Sequence, residues 1–234
     1  MKKIISKYTP NFLLNFYRKN FKIFHGNSLI DKKMLKYINY RNGFYIEMGA
    51  HDGIINSNSY YFEKNLNWNG VLIEPSNYFK ELKKNRSSKN YFYKYICVPF
   101  NYKKKIAFEQ IGPYSRSSEL ISSKYLKWHK LKSKVVKNNF PVNKIKYINT
   151  ISLNELLRKS KAPKLIDFFS LDVEGSELKV LKGINFKEFN FRYLLIEISN
   201  IDSQVKIISK FLKDRGYVLK DNLTGYDYLF KYTS

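Results

Sequence analysis

The sequence predicts an α/β protein built on a mostly parallel, doubly wound, seven-stranded sheet, with helices on both faces and a C-terminal β-hairpin. Three observations carry this reading. The segments "GFYIEM", "GVLIEP", "LIDFFSLDV" and "YLLIEIS" are short, near-continuous apolar runs, as expected of strands buried on both faces of a parallel sheet. Helical stretches separate them, which gives the alternation of βαβ units. Acids and glycines cluster where the runs end, the edge at which open α/β sheets bind ligands.

In chain order, residues 1–40 form a basic N-terminal extension and 41–234 the main domain. Residues 1–24 carry six basic and no acidic residues among Ile4, Ile5, Phe12, Leu13 and Phe16. A helix packed on the domain is the first expectation, since Pro10 interrupts the periodicity; a basic amphipathic segment on an anionic membrane is the second. "GFYIEM" then reads as the first strand, 58–66 as a helix, "GVLIEP" as the second strand, 76–86 as a helix and "YFYKYICV" as one third strand. Residues 99–149 fit the alternation poorly and read as an insertion over the sheet edge, with strands and a loop in "NYKKKIAFEQIGPYSRSSEL". "LIDFFSLDV", the helical "GSELKVLKGI" and "YLLIEIS" resume the pattern. An amphipathic helix over 202–215 and a hairpin of "GYVLK" with "GYDYLF" close it. Trp68 reads as packing under the second strand, and His25 and His129 as ordinary core or surface histidines.

Composition narrows the chemistry. The 234 residues are 44% hydrophobic, enough for one sizeable core. One cysteine and three scattered histidines exclude a disulfide framework and a cysteine-rich zinc site. No run approaches a membrane span and the N-terminus lacks a signal cleavage site, so the expected location is cytoplasmic, including the inner face of the membrane. The formal net charge is +24; such a field attracts nucleotide-sugars, phosphorylated glycans, acidic membranes or nucleic acid, and charge alone does not choose among them.

The motif "EMGAHDG", Glu47 to Gly53, follows a strand and precedes a helix, where glycines let the backbone turn sharply near a ligand. It matches neither G-x-G-x-x-G nor a P-loop, which argues against a phosphate cradle. Glu74 ends the next strand, where a ribose-binding carboxylate belongs. An acidic loop without a phosphate cradle suits a cofactor with a ribose and a positive centre, which describes S-adenosylmethionine. In "SLDVEGSE", Asp172 ends a central strand. Methyl transfer needs an aligned acceptor oxygen and a group that takes its proton, for which Asp172, His51 and a bound water are the candidates. Glu174 joins them as a catalytic candidate, although it and Glu177 equally suit capping of a helix start. No metal is assigned; a divalent cation on Asp172, Glu174 and Glu197 is a minor alternative. In the insertion, Arg116 with Ser117 and Ser118 is a candidate acceptor site, because a guanidinium forks onto phosphate or carboxylate.

The run from "FYIEMGAHDG" to "FKELKKNR", with "CVPF", "INTISLNELL", "IDFFSLDVEGSELKVLKGINF" and "LLIEIS" in that order, resembles the FkbM-type methyltransferase family over about residues 40–200. The resemblance implies a Rossmann-like, class I S-adenosylmethionine-dependent methyltransferase, commonly an O-methyltransferase of sugar or secondary-metabolite hydroxyls. It places Glu47, Gly49, Ala50 and Gly53 in the cofactor loop, Glu74 on the ribose hydroxyls, and Cys97 and Val98 beside adenine. This sequence lacks the acid that usually receives the adenine amino group at that strand end.

The expected function is therefore O-methylation of a sugar hydroxyl in glycan or surface-polysaccharide assembly, on an acceptor that is free or nucleotide- or lipid-linked. A nucleic-acid methyltransferase is disfavoured, since the Asn/Asp-Pro-Pro-aromatic stretch of base methylation and any aromatic-basic recognition module are missing. A non-catalytic scaffold with a methyltransferase shell is the remaining rival.

Overall fold

The structure is a computed structural model that describes residues 23–112, 114–121, 145–198 and 204–233. A short 3-10 turn and helix α1 (Ile30–Met34) lead into β1 (Phe44–Met48), α2 (Tyr60–Leu66), β2 (Asn69–Ile73), α3 (Phe79–Asn85) and β3 (Tyr91–Tyr93). After β4 (Ile96–Cys97), β5 (Lys105–Glu109) and β6 (Ile145–Ile151) come α4 (Leu153–Lys159), β7 (Leu165–Leu171), α5 (Glu177–Leu181) and β8 (Asn190–Glu197). Helix α6 (Gln204–Lys213), β9 (Tyr217–Asn222) and β10 (Asp227–Tyr232) complete the described chain. The main sheet has seven strands in the order β3-β2-β1-β7-β8-β10-β9. Strands β3, β2, β1, β7 and β8 run parallel, while β10 is antiparallel to both β8 and β9. The expected fold class is borne out, terminal hairpin included.

Strand parity divides the core. On one face Ile46, Met48, Val71, Ile73, Phe169 and Leu194 pack with Leu156 of α4, Val180 of α5 and Ile208 of α6. On the other, Tyr45, Leu72, Phe168 and Leu195 pack with Met34 of α1, Phe62 of α2 and Leu82 of α3. Successive side chains of a strand point to opposite faces, so β1, β2, β7 and β8 feed both clusters and read as unbroken apolar runs. In "INTISLNELL", Ser152 caps α4 by accepting from the Glu155 amide while Glu155 answers the Ser152 amide, a capping box.

The expectation of one third strand is corrected. "YFYKYICV" is two strands: Tyr91–Tyr93 pairs with β2 in the main sheet, whereas Ile96 and Cys97 pair in parallel with Thr150 and Ile151 of β6. The chain leaves the main sheet at Lys94 and Tyr95, and β4, β6 and β5 form a second, three-stranded sheet. Ile96, Val98, Ile106, Phe108, Leu120 and Ile148 close a small core of their own, so the described part of 99–149 is joined to the domain through β4. Trp68 is buried, donating from Nε1 to the Tyr40 carbonyl at 2.7 Å. His25 is buried edge-on to Tyr60. Residues 1–22 and His129 lie outside the described residues. Among the described residues no helix is long and apolar enough to cross a membrane.

Candidate active site

The order of the strands reverses between β1 and β7, the switch point at which doubly wound sheets open a crevice beyond the carboxyl ends of their strands. A cavity of about 490 Å³ lies there, bounded by the loops after β1, β2 and β7, by β4, and by residues of 108–112 and 115–120. That volume falls in the range of small-molecule sites.

The loop after β1 forms the floor. The amides of Gly49 and Ala50 both donate to the Ile73 carbonyl, at 3.1 and 3.2 Å. Gly49 has φ +82°, and a Cβ there would stand 2.1 Å from the Asp172 carbonyl oxygen. Only glycine combines that dihedral with so close an approach of β1 to β7. The Asp172 amide returns the contact by donating to the Met48 carbonyl at 3.2 Å.

Glu74 leaves β2 into the cavity and is 6% exposed. Its Oε2 accepts from the His51 amide at 2.8 Å and its Oε1 from the Ser76 amide at 2.8 Å. Two backbone donors hold the carboxylate in place and leave further lone pairs on both oxygens for a ligand.

His51 lines the same wall with an unusual conformation. Its φ of +48° is left-handed, a conformation that costs a non-glycine residue about 1–3 kcal/mol and recurs at ligand clamps. The ring lies 3.7 Å, centroid to centroid, from Tyr78. Its Nδ1 is 3.6 Å from Asp52 Oδ1, too long for a hydrogen bond, and neither buried ring nitrogen has a hydrogen-bond partner among the described residues. Burial opposes the charge of Asp52, yet His51 and the amides of Ile54 and Ile55 hold its carboxyl below the usual range. Burial raises the Tyr78 hydroxyl, with Asp52, Glu74 and Glu81 adding to the effect.

Asp172, Glu174 and Val173 form the opposite wall. The turn that carries them is tight, with φ +55° at Glu174 and +98° at Gly175. Burial pushes the Asp172 carboxyl well above its ordinary value, reinforced by Glu197, to which it is hydrogen-bonded, and by Glu174. Glu197 follows Ile196, the register partner of Leu171, so adjacent strands deliver the two carboxyls side by side. Among the described residues no group of three potential ligands is arranged to hold a metal ion. Glu177 is buried beneath this turn, accepts from the Gly175 amide at 2.9 Å, and is pushed up by burial to about 7.

Arg116 and Ser117 enter from the roof. Glu109 and Arg116 exchange backbone hydrogen bonds at 2.7 and 3.0 Å, which closes the loop between them, and their side chains pair at 3.3 Å. The buried Ser117 hydroxyl has no hydrogen-bond partner among the described residues.

Three residues expected at the cofactor, Glu47, Gly53 and Val98, lie off the cavity lining. Glu47 is absent from the cavity lining, because alternation along β1 puts it on the face of Tyr45, turned toward α2 and α3. There its carboxylate accepts from the hydroxyls of Ser57 and Ser59, each at 2.8 Å, and from the Asn58 amide at 2.6 Å. It also pairs with the buried Arg86 at 3.2 Å. Arg86 in turn meets Glu63 at 2.7 Å and the Tyr45 hydroxyl at 2.7 Å, so Glu47 belongs to a closed internal network. Gly53, at φ +82°, also lies off the lining; a Cβ there would meet Arg86 and Leu82 at 2.8 Å, and its carbonyl accepts from Arg86 at 3.1 Å. Val98 donates its amide to Ile151 and packs in the second sheet's core, whereas Cys97 and Ile96 reach the cavity. Gly49, Ala50, His51, Glu74, Cys97, Asp172, Glu174, Arg116 and Ser117 are thus brought together, while Glu47, Gly53 and Val98 support from behind. Sequence reasoning missed Tyr78, Ser76 and Asp52; only the place of Asp52 inside "GAHDG" marked any of them.

Comparison with known proteins agrees with this geometry. Residues 47–219 match the family described as Methyltransferase FkbM domain. Among solved structures, the FkbM methyltransferase of Methylobacillus flagellatus KT superposes with a TM-score of 0.50 at 13% identity, covering 84% of this chain and 45% of that one. The chain therefore spans under half of that protein's length. A candidate RNA methyltransferase of Pyrococcus horikoshii (TM-score 0.46, 10% identity, 88% of this chain and 83% of that one) is also similar. So is a precorrin-6y C5,15-methyltransferase of Geobacter metallireducens GS-15 (0.43, 11%, 90% and 94%). At 13% identity the likeness to the Methylobacillus protein speaks for the shared fold alone. No curated protein matches the chain. With a match across most of its length, and with the class I methyltransferase sheet order and its switch-point cavity, the chain belongs to the FkbM methyltransferase domain family.

Proposed function

We propose that the protein is an S-adenosylmethionine-dependent O-methyltransferase acting on a sugar hydroxyl in glycan assembly. The observation that carries the cofactor reading is Glu74: a carboxylate fixed by two amides at the end of β2, inside a switch-point cavity, suits two ribose hydroxyls. The flush backbone at Gly49 and the wall of Tyr95, Ile96 and Cys97 leave room for the rest of the nucleoside and its amino-acid tail. When bound, this cofactor supplies an electrophilic methyl group on a sulfonium.

The chain's own residues then position and deprotonate the acceptor. Asp172 is the base of this reading. Desolvation and the carboxyls of Glu197 and Glu174 raise its proton affinity, which moves a carboxylate toward the operating pH at which a general base works best. Glu174, on the same wall, orients the acceptor in this reading. Arg116 and Ser117, across the cavity, face the acceptor's polar groups, and the net charge of +24 favours encounter with a phosphorylated or nucleotide-linked sugar.

The test is calorimetric titration of S-adenosylmethionine into the wild-type protein and Glu74→Ala, followed by a methyl-transfer screen across nucleotide-sugars and glycans. Binding to the wild type that is lost in a folded Glu74→Ala supports the reading. A folded wild type that binds no cofactor overturns it in favour of a scaffold role. Methyl transfer to nucleic acid but to no sugar in the screen overturns the substrate class.

A further inference from the structure

A second cavity, of about 320 Å³, adjoins the turn that carries Asp172 and Glu174. It lies among residues 119–121, Gly175, helix α5 and the first half of helix α6. Leu120 lines both cavities. The turn is shared as well, with Glu174 and Ser176 on the active-site cavity and Gly175, which has no side chain, on the second. Helix α5 is divided in the same way: Val180 lines the first cavity, Leu178 and Lys179 the second. The acceptor wall of the active site is therefore also a wall of this groove.

Its interior is aliphatic and its rim polar. Leu120, Ile121 and Ile208 are buried, whereas Glu119 and Lys179 are exposed. Ile207 alone among the apolar residues of α6 is exposed, at 49%, and it borders the groove. Among the described residues no aromatic ring lines it, and rings are what stack on bases; the lining suits a saturated or branched hydrocarbon. Lys179 at the rim and the exposed Lys210, one turn beyond Ile207 on α6, supply positive charge for an anionic linkage at the mouth.

We propose that this groove holds the aliphatic chain of the acceptor, so that the sugar is presented to the active-site cavity by a lipid-linked carrier whose chain lies along α5 and α6. The proposal rests on the methyltransferase reading above and narrows its acceptor from a free, nucleotide-linked or lipid-linked sugar to the last.

Methyl, butyl, hexyl and octyl β-D-glucoside, each below its micelle concentration, are titrated without cofactor into the wild type, Ile207→Gln and Val218→Gln. The probes are neutral, so the net charge of +24 does not draw them. Glutamine preserves helix propensity at position 207, and Val218, 45% exposed on β9, is an apolar surface residue outside both linings. Affinity for the wild type should rise about fourfold per added methylene. Ile207→Gln should bind octyl glucoside about tenfold more weakly and methyl glucoside as the wild type does, with Val218→Gln matching the wild type throughout. A flat chain-length series overturns the proposal, as does equal binding of octyl glucoside by wild type and Ile207→Gln. An equal loss in Val218→Gln also overturns it, since chains would then coat the surface at large. In the methyl-transfer screen, a sugar carried on polyprenyl phosphate should show a lower KM than the same sugar on a nucleoside diphosphate, a difference that Ile207→Gln erases; the opposite preference refutes the lipid-linked acceptor. A wild type that binds S-adenosylmethionine but no chain refutes the groove alone, whereas one that binds chains but no S-adenosylmethionine refutes the methyltransferase reading and the acceptor role with it.

Discussion

Replacing Glu47 by alanine separates a structural acid from a ligand-binding one. Glu47 is 4% exposed and its carboxylate receives the Ser57 and Ser59 hydroxyls, the Asn58 amide and Arg86. Truncation takes the acceptor from five donors, the Ser59 amide included, and leaves the fully buried Arg86 guanidinium with Glu63 as its remaining carboxylate partner. Burial works against the charge on Arg86, and its neighbours Tyr45, Glu63 and Glu47 together more than offset that, raising its proton affinity. Breaking a buried ion pair on one side costs about 3–5 kcal/mol. For a chain of this size each kcal/mol shifts the melting temperature by about 2–4 °C, so Tm should fall by about 6–20 °C. The assay is scanning calorimetry paired with titration of S-adenosylhomocysteine at a temperature where both proteins are folded. Glu47→Ala should melt early yet bind with near wild-type affinity, and Glu74→Ala should do the reverse. A Glu47→Ala protein that melts within 2 °C of wild type (roughly 1 kcal/mol) and fails to bind would refute the reasoning and return Glu47 to the cofactor.

Asp172→Asn keeps the shape of the turn but removes the proposed base; once an acceptor is found, turnover should drop about 10²–10⁴-fold while S-adenosylhomocysteine affinity stays close to wild type. Near-normal turnover would assign the proton to another group. Glu177→Gln tests the buried acid behind that turn: its carboxyl is raised from 4.5 to about 7, so the stability it lends the fold is complete below its unfolded pKa and is lost as pH rises through the folded value. Wild type and Glu177→Gln should match at pH 4, and by pH 8 the glutamine protein should be the more stable by roughly 3 kcal/mol. Denaturant melts across that range check this, and parallel pH profiles for the two proteins would sink it.

The sequence by itself determined the fold class, because its evidence is local. Apolar runs such as Phe44–Met48 and Leu165–Leu171, separated by helical patterns, can be buried on two sides only in a parallel sheet covered by helices. It also determined that Gly49, Glu74 and Asp172 stand at one edge, since each directly follows or ends an apolar run and parallel strands all finish on the same side. What only the tertiary structure decided was where the side chains go. Glu47 and Glu74 look equivalent as acids at strand ends, but Glu47 lies within β1 on the α2/α3 face and Glu74 one residue beyond β2, and only packing supplies Arg86 to claim the former. The break in "YFYKYICV" was equally hidden, because Ile96 and Cys97 find their partners in Thr150 and Ile151, more than fifty residues along the chain. Pairing across that distance is set by the whole core rather than by local propensity. The same holds for His51, whose setting depends on Tyr78, twenty-seven residues away, meeting it across the cavity wall.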